Sequence, residues 1–103
     1  MARSRLGRAD LAEGGFRAVD VGQRLVLVSR VGGAFWAISD WCNHAGCRLS
    51  QGSFEATSVT CHCHGATFDR RTGKNLNAPH LCGDQDAYEV REESGELFVE
   101  WKD

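Results

Sequence analysis

Two short stretches rich in cysteine and histidine stand out in this chain: Cys42-Asn43-His44-Ala45-Gly46-Cys47 and Cys61-His62-Cys63-His64-Gly65. They contain a Cys-x-His pair and a Cys-x-x-His pair, with 16 residues between His44 and Cys61. Two thiolates and two imidazoles suit either a tetrahedral zinc ion or an iron–sulfur cluster. Each stretch can give its cysteine to one metal and its histidine to another, an arrangement that favours a two-iron centre held between two loops.

Outside these stretches the apolar pattern is typical of strands, because it alternates with period two or forms short β-branched runs. The expected strands are Phe16–Val21, Arg24–Val28, Ala34–Ile38, Ala87–Val90 and Leu97–Trp101. Glycine-containing turns follow or separate several of them, as at Val31-Gly32-Gly33, Thr72-Gly73 and Glu93-Ser94-Gly95. We therefore expect an all-β fold of antiparallel hairpins that carries the two cysteine–histidine stretches as loops.

Length and charge restrict the class of protein. A chain of 103 residues has room for one domain, which we expect to span residues 1–103. Its 12 Lys+Arg against 14 Asp+Glu provide no overall basic field, so we do not expect it to bind nucleic acid. Residues 84–103 hold eight acidic and two basic side chains, a pattern that favours a solvated strand face over a docking patch.

The cysteine count must be read together with the expected compartment. No apolar run approaches the roughly 20 residues of a membrane-spanning helix, and Met1–Arg5 is not followed by the apolar stretch of a secretion signal. These features predict a cytoplasmic protein without a membrane partner. In that compartment metal ligation or redox chemistry explains five cysteines better than a disulfide framework does.

With these motifs established, the chain resembles the Rieske family, whose pattern is Cys-x-His followed after a spacer by Cys-x-x-His. The resemblance extends over most of the chain, through Gly65, Phe68-Asp69, Thr72-Gly73, Pro79 and the final hairpin. It implies a Rieske-like fold of antiparallel β-sheets with a two-loop cluster-binding subdomain. The cluster-binding loops would lie at about residues 41–52 and 61–69, and a proline loop at about residues 76–83.

The resemblance also implies a cofactor, one [2Fe-2S] cluster per chain. Cys42 and Cys61 would hold one iron, and the Nδ1 atoms of His44 and His64 would hold the other. An oxidised core carries two positive charges, so two thiolates leave the site neutral whereas four would leave it doubly negative. An added electron therefore costs less, and Rieske centres lie at roughly −150 to +300 mV against about −400 mV for plant-type ferredoxins.

Cys47 and Cys63 lie outside this minimal pattern. Rieske proteins of the cytochrome bc type carry cysteines at both places and join them in a disulfide, so the resemblance implies a Cys47–Cys63 bridge here. Such a bridge contributes about 3 kcal/mol in the chain-entropy model. The alternative is a pair of reduced thiols, as the cytosol normally maintains.

By resemblance the cluster is also surrounded by Gly46, Gly65, Ala66, Phe68 and Pro79. High-potential members of the family carry serine and tyrosine hydroxyls at the places that Ala66 and Phe68 occupy. Neither side chain here can donate a hydrogen bond to sulfur, which predicts a potential in the lower half of the Rieske range, roughly −150 to +75 mV.

Several other residues have simpler interpretations. We expect His62 to be a solvent-facing neighbour of the site and Cys82 to be a thiol outside any disulfide. Trp36, Trp41 and Trp101 are expected to pack in the core or at its rim. Arg70 and Arg71 are expected in a solvated turn beside the second loop.

The leading functional hypothesis is a monomeric Rieske ferredoxin that takes electrons from a reductase to a terminal oxygenase or a similar enzyme. It is not expected to be an enzyme itself, because no nucleophile or second iron site is evident. The alternatives are a small Rieske subunit of a respiratory or nitrite reductase complex and a structural zinc-binding module. A red-brown protein with iron and acid-labile sulfide excludes the zinc module.

Overall fold

The computed structural model describes residues 2–42, 46–63, 65–80 and 82–101. They form nine β-strands and one short 3-10 helix, without an α-helix in these ranges. The strands are β1 Ala2–Arg8, β2 Phe16–Val21, β3 Arg24–Val31, β4 Ala34–Ser39, β5 Ser53–Phe54, β6 Ser58–Thr60, β7 Thr67–Asp69, β8 Ala87–Glu93 and β9 Glu96–Trp101, and the helix is Leu49–Gln51. The expected all-β class is confirmed. Within the same ranges no helix is long and apolar enough to cross a membrane.

The strands form two sheets in which every neighbouring pair is antiparallel. A six-stranded sheet has the order β1-β9-β8-β4-β3-β2, and a three-stranded sheet has the order β5-β6-β7. The β3–β4 hairpin turns at Gly32 and Gly33, whose φ angles of 65° and 80° are those of the left-handed region. Two residues in this conformation give the turn a twist that matches the flanking strands. The glycine pair therefore suits a tight turn between β3 and β4.

Strand β3 is buried on both faces and joins two apolar cores. Leu27 packs into a core shared with the small sheet, whereas Val26 and Val28 pack into a core on the opposite face. The first core consists of Leu27, Ile38, Cys42, Leu49, Val59, Cys61, Ala66 and Phe68. Cys42 and Cys61, the two cysteines expected to bind metal, are therefore core residues.

Arg70 corrects one sequence expectation, since it does not lie in a solvated turn. Only 1% of the residue is exposed. Its guanidinium donates to the carbonyl oxygens of Gly14 at 2.8 Å, Gly15 at 3.0 Å and Glu55 at 2.8 Å. These bonds join the end of β7 to the segment before β2, so Arg70 fastens the small sheet to the large one. Arg71 is exposed, as expected.

Candidate metal centre

The two cysteine-bearing loops have the same backbone pattern. In the first, Cys42 N donates to Cys47 O at 2.7 Å and Gly46 N donates to Cys42 O at 3.1 Å. In the second, Cys61 N donates to Ala66 O at 2.8 Å, and the amide four residues after the cysteine again donates back to the cysteine carbonyl, at 3.0 Å. Cys42 and Cys61 thus occupy equivalent positions at the start of two similar loops.

A glycine with positive φ closes each loop. Gly46 has a φ of 69° and Gly65 a φ of 77°, values that residues other than glycine rarely adopt. At Gly46 there is a second constraint, because a Cβ atom there would lie 3.1 Å from the Trp41 ring. These two glycines were expected beside the site, and the loop geometry accounts for both.

Cys42 and Cys61 are both buried, with 0% and 1% of each residue exposed. Each follows a strand of a different sheet: Cys42 comes three residues after β4, and Cys61 directly follows β6. Both are reduced cysteines outside any disulfide. The fold therefore presents two buried thiols from two equivalent loops, which is the donor set that one side of a mixed cysteine–histidine cluster requires.

A disulfide joins Cys47 to Cys63 with 6.5 Å between their Cα atoms. It is the pair that the resemblance to the family implied. Because Cys47 ends the first loop and Cys63 lies in the second, the bridge ties the two loops directly together. The sulfurs of Cys47, Cys61 and Cys63 lie within 4.8 Å of one another, but two of them are bonded to each other, so only Cys61 can offer a thiolate to a metal.

The expected histidine ligands, His44 and His64, lie outside the described residues. The nearest described residues are Cys42 and Gly46 in the first loop, and Cys63 and Gly65 in the second. The assignment of the two histidines as ligands stays a prediction.

Asp40 is a site residue that the sequence interpretation did not single out. It is fully buried, and its carboxylate accepts hydrogen bonds from Arg48 Nε at 3.0 Å and from both Ser50 N and Ser50 Oγ at 2.7 Å. The bond to Asp40 raises the pKa of Arg48. Asp40 precedes the first loop and its partners follow it, so the carboxylate closes the base of that loop. An isolated aspartate after a strand gives no sequence signal for this role.

The proline loop is fixed to the second cluster loop by Asn77. Its side-chain oxygen accepts from Thr67 N at 2.8 Å, and its amide donates to Gly65 O at 2.9 Å. Asn75 orders the rest of the loop by accepting from Ala78 N at 2.9 Å. Pro79 is exposed, so it lies on the surface of this loop.

Ala66 and Phe68 are fully buried, and Phe68 is paired with Val59 across the small sheet. Neither side chain carries a donor, as the sequence interpretation required. His62 is exposed, in agreement with its expected position.

Cys82 is outside any disulfide and packs against the core that contains Cys42. Its burial raises the pKa of the thiol, and Asn75 Nδ2 donates to its sulfur at 3.3 Å. Trp36 is partly buried and donates from its ring nitrogen to Val31 O, whereas Trp41 lies at the rim with 51% exposed. The side chain of Trp101 lies outside the described part of the chain.

Comparison with known proteins agrees with this geometry. The family model of the Rieske [2Fe-2S] domain matches residues 6–93. The ferredoxin subunit of 3-phenylpropionate/cinnamic acid dioxygenase from Escherichia coli (strain K12) is 36% identical over 93 residues, which are 89% of this chain and 86% of that protein.

Two solved structures extend the comparison. The ferredoxin of carbazole 1,9a-dioxygenase from Nocardioides aromaticivorans IC177 superposes with a TM-score of 0.87 at 33% identity, over 99% of this chain and all of that one. A chain in a complex of reduced oxygenase and oxidized ferredoxin in carbazole 1,9a-dioxygenase superposes with a TM-score of 0.84 at 31% identity, over 94% of this chain and 91% of that one.

Proposed function

The chain belongs to the Rieske [2Fe-2S] domain family, and we propose that its two paired loops hold the [2Fe-2S] cluster. Its ferredoxin relatives show that it is an electron carrier rather than an enzyme. The proposed ligands are Cys42, His44, Cys61 and His64. The observation that carries the proposal is the equivalence of the two loops, each of which begins at a buried reduced cysteine and closes at a glycine with positive φ.

When bound, the cluster accepts and releases one electron at a time. The residues of the chain supply the surroundings for this exchange. Cys42 and Cys61 place their thiols in an apolar core from which water is excluded, and the Cys47–Cys63 bridge holds the two loops at a fixed separation. A site held rigid in both oxidation states needs little rearrangement when the electron arrives or leaves.

We further propose that the chain donates electrons to a terminal oxygenase after reduction by a separate reductase. Two of the relatives support this proposal by name, since one is a ferredoxin subunit of a dioxygenase and another is described in a complex of oxygenase and ferredoxin. The surface next to the loops is also suitable for docking. Trp41 is 51% exposed and Leu76 is 50% exposed, so apolar side chains lie at the end of the molecule that carries the electron.

The proposal includes a single domain over residues 1–103 and a cytoplasmic location. The match of the family model to residues 6–93 supports the single domain. The cytoplasmic location rests on the sequence alone.

Metal analysis and electron transfer test the proposal together. The purified protein is expected to contain iron and acid-labile sulfide in equal amounts, near two of each per chain. Reduced protein mixed with an oxidised terminal oxygenase should be reoxidised in a single turnover. The His62→Ala variant is the matched control, because it changes an exposed histidine between the same two cysteines and should keep both properties. A protein with zinc and no sulfide contradicts the cluster, and failure to reoxidise with any oxygenase tested contradicts the proposed partner.

A further inference from the structure

A pocket of about 450 Å³ lies on the large sheet, beside the start of the first cluster loop. It is formed where β3 begins and β4 ends, next to the first residues of β8. The described residues that line it are Gln23, Arg24, Leu25, Ser39, Trp41 and Tyr88. Its volume is typical of small-molecule sites, which span about 300–1,000 Å³. Electron transfer by a cluster does not require such a pocket, so the pocket points to a different ligand.

The aromatic wall of the pocket is held in place from behind. Trp41 O accepts from the buried Gln85 Nε2 at 2.6 Å, and Trp41 N donates to Ser39 Oγ at 3.2 Å. The Trp41 ring packs against the first cluster loop, because a Cβ atom at Gly46 would lie 3.1 Å from it. Tyr88, on the neighbouring strand, hydrogen-bonds to Ser39. The wall is therefore formed before a ligand arrives, which lowers the entropy cost of binding.

The lining residues determine which ligand chemistry fits. Arg24 is the charged residue among those described, and a guanidinium has five N–H donors, so it can bind a carboxylate while keeping its contacts within the chain. Trp41 is 51% exposed and offers a face on which an aromatic ring can stack. A metal cation would need carboxylate ligands and a polyphosphate would need several cations, and the described lining provides neither.

We propose that this pocket binds a small aromatic carboxylic acid, with the ring of the acid on Trp41 and its carboxylate on Arg24. The inference goes beyond the proposed function and does not depend on it, because the six lining residues do not include a proposed cluster ligand.

Asp86 opposes Arg24 at the rim of the pocket. Asp86 O accepts from Ser39 N at 2.8 Å, and the Asp86 side chain is exposed. Burial raises the pKa of Tyr88, the Asp86 carboxylate raises it further, and Arg24 lowers it, so both charges act on this wall of the pocket. A bound carboxylate is attracted by Arg24 and repelled by Asp86. Removal of the two charges should therefore change the affinity in opposite directions.

Isothermal titration calorimetry of the intact protein with 1-naphthoate tests the inference. We expect a Kd of about 1 mM or below, the affinity that a ligand of this size reaches at ordinary ligand efficiency. The neutral analogue 1-naphthamide has nearly the same shape without the charge. It should bind about fivefold more weakly or less, because it cannot form charge-assisted hydrogen bonds with Arg24.

Three variants separate the contributions of individual charges. Arg24→Gln should weaken the binding of 1-naphthoate by about tenfold, because it removes the bidentate partner. Asp86→Asn should strengthen it by about two- to threefold. Arg8→Gln is the matched control, since it makes the same change in net charge at an exposed residue that pairs with Glu96, at the end of β9 away from the pocket. It should bind like wild type.

Fluorine NMR of the intact protein produced with 5-fluorotryptophan locates the ligand. The Trp41 resonance, assigned by its loss in Trp41→Phe, should shift as 1-naphthoate is added. The Trp36 resonance should stay in place, because the Trp36 ring nitrogen donates to Val31 O near the opposite end of β4.

Four results would overturn the inference. They are a wild-type Kd above about 1 mM, equal affinities for the acid and the amide, equal affinities of Arg24→Gln and Arg8→Gln, and a Trp41 resonance that does not shift. Weaker binding by Asp86→Asn would also contradict the assigned position of the carboxylate. Iron and sulfide measured in the same samples test the proposed cluster separately.

Discussion

Ala66 and Phe68 are predicted, from the resemblance to the Rieske family, to influence the reduction potential. Both are fully buried, and neither side chain carries a hydrogen-bond donor. A donor to a cluster or cysteine sulfur stabilises the more negative reduced state, so introducing one should raise the potential. The sequence was sufficient to identify the missing side-chain donors, because alanine and phenylalanine side chains lack donors in any conformation.

Ala66→Ser and Phe68→Tyr are each expected to raise the potential. A hydrogen bond that is stronger by about 1 kcal/mol in the reduced state corresponds to roughly 40 mV for one electron. Protein-film voltammetry on the cluster-loaded variants measures the shift. Phe68→Leu is the control, since it changes the same buried position without adding a donor and should leave the potential nearly unchanged. Equal potentials in all four proteins would mean that burial or backbone donors set the value instead.

Arg70 shows where interpretation by residue type fails. From its residue type, an arginine that follows a strand is expected in solvent. In the fold, the carbonyl groups of Gly14, Gly15 and Glu55 converge on Arg70, and a sequence pattern cannot show this. The guanidinium also lies over the Phe54 ring at 5.0 Å. Burial lowers the pKa of Arg70, and the hydrogen bonds offset the cost of removing the charge from water.

Replacement of Arg70 by methionine should lower the free energy of unfolding by about 3 kcal/mol, because it leaves several buried carbonyl groups without donors. Denaturant unfolding followed by tryptophan fluorescence measures the change. The neighbouring Arg71→Met variant is the control. Arg71 is exposed and pairs with Asp69, so its loss should cost less than about 1 kcal/mol. Similar losses in the two variants would refute the role of Arg70 as the link between the sheets.

At the scale of elements, the sequence predicted the long hairpins and missed the short or atypical strands. Strands β2, β3, β4, β8 and β9 were expected, although β3 continues beyond Val28 to Val31 and β8 continues beyond Val90 to Glu93. Strand β1 was not expected, because Ala2–Arg8 is rich in arginine and holds one large apolar side chain, Leu6. It is stabilised by pairing with β9. Strands β5 to β7 have two or three residues each, too few for a period to be recognised.

The proline loop provides an element-scale prediction. Asn77→Ala removes the side-chain hydrogen bonds with Thr67 N and Gly65 O, so the second cluster loop loses two of its contacts with the proline loop. We expect the free energy of unfolding to fall by about 1–2 kcal/mol and the cluster to be lost faster on warming. Visible absorbance followed over time measures the loss. Lys74→Ala, a change on the exposed chain just before this loop, should lose its cluster at the wild-type rate; an equal rate in Asn77→Ala contradicts the predicted role.

A second element-scale prediction concerns the β3–β4 hairpin and pH. Both carboxylate oxygens of Glu13 accept from the turn, Oε2 from Gly32 N at 2.7 Å and Oε1 from Gly33 N at 2.8 Å. These bonds lower the pKa of Glu13. The stabilising effect is therefore fully present above the pKa of glutamate in the unfolded chain, about 4.3, and is lost as the pH falls through the lower pKa of the folded state.

Glu13→Gln should therefore be less stable than wild type at neutral pH, with a difference that shrinks as the pH falls below about 4. Urea unfolding of cluster-free wild type and variant over a pH series measures this difference. A constant difference at every pH would show that the charge on Glu13 does not matter to the hairpin.

At the scale of the whole molecule, the site lies where the two sheets meet. The core around Cys42 and Cys61 draws residues from β3, β4, β6 and β7, so the small sheet and the large sheet enclose it together. Within the acidic stretch of residues 84–103, most of the carboxylates lie on β8 and β9 of the large sheet. Arg3 pairs with Glu93, Arg5 with Glu96, and Arg91 with both Glu89 and Glu100. These pairs partly neutralise the acidic face, as expected of a solvated strand face.

The ligand set is the part of the site that the sequence predicts most sharply. The contacts of the described residues do not test it, because His44 and His64 lie outside them. The spacing of cysteines and histidines, together with the resemblance to the Rieske family, predicts Cys42, His44, Cys61 and His64 as the ligands. The contacts that close the loops, from Asp40 and Asn77, could not be predicted. Both depend on partners that are brought near only by the fold. The central claim is thus that cysteine and histidine share one cluster.

Electron–nuclear double resonance on the reduced protein, produced with ¹⁵N-labelled histidine, tests that claim most directly. Two histidine nitrogens should couple strongly to the cluster electron. One coupling should disappear in any cluster that survives in His44→Cys or His64→Cys, and both should remain in His62→Ala. A reduced [2Fe-2S] signal without histidine couplings, or with both couplings intact in His64→Cys, would contradict the account.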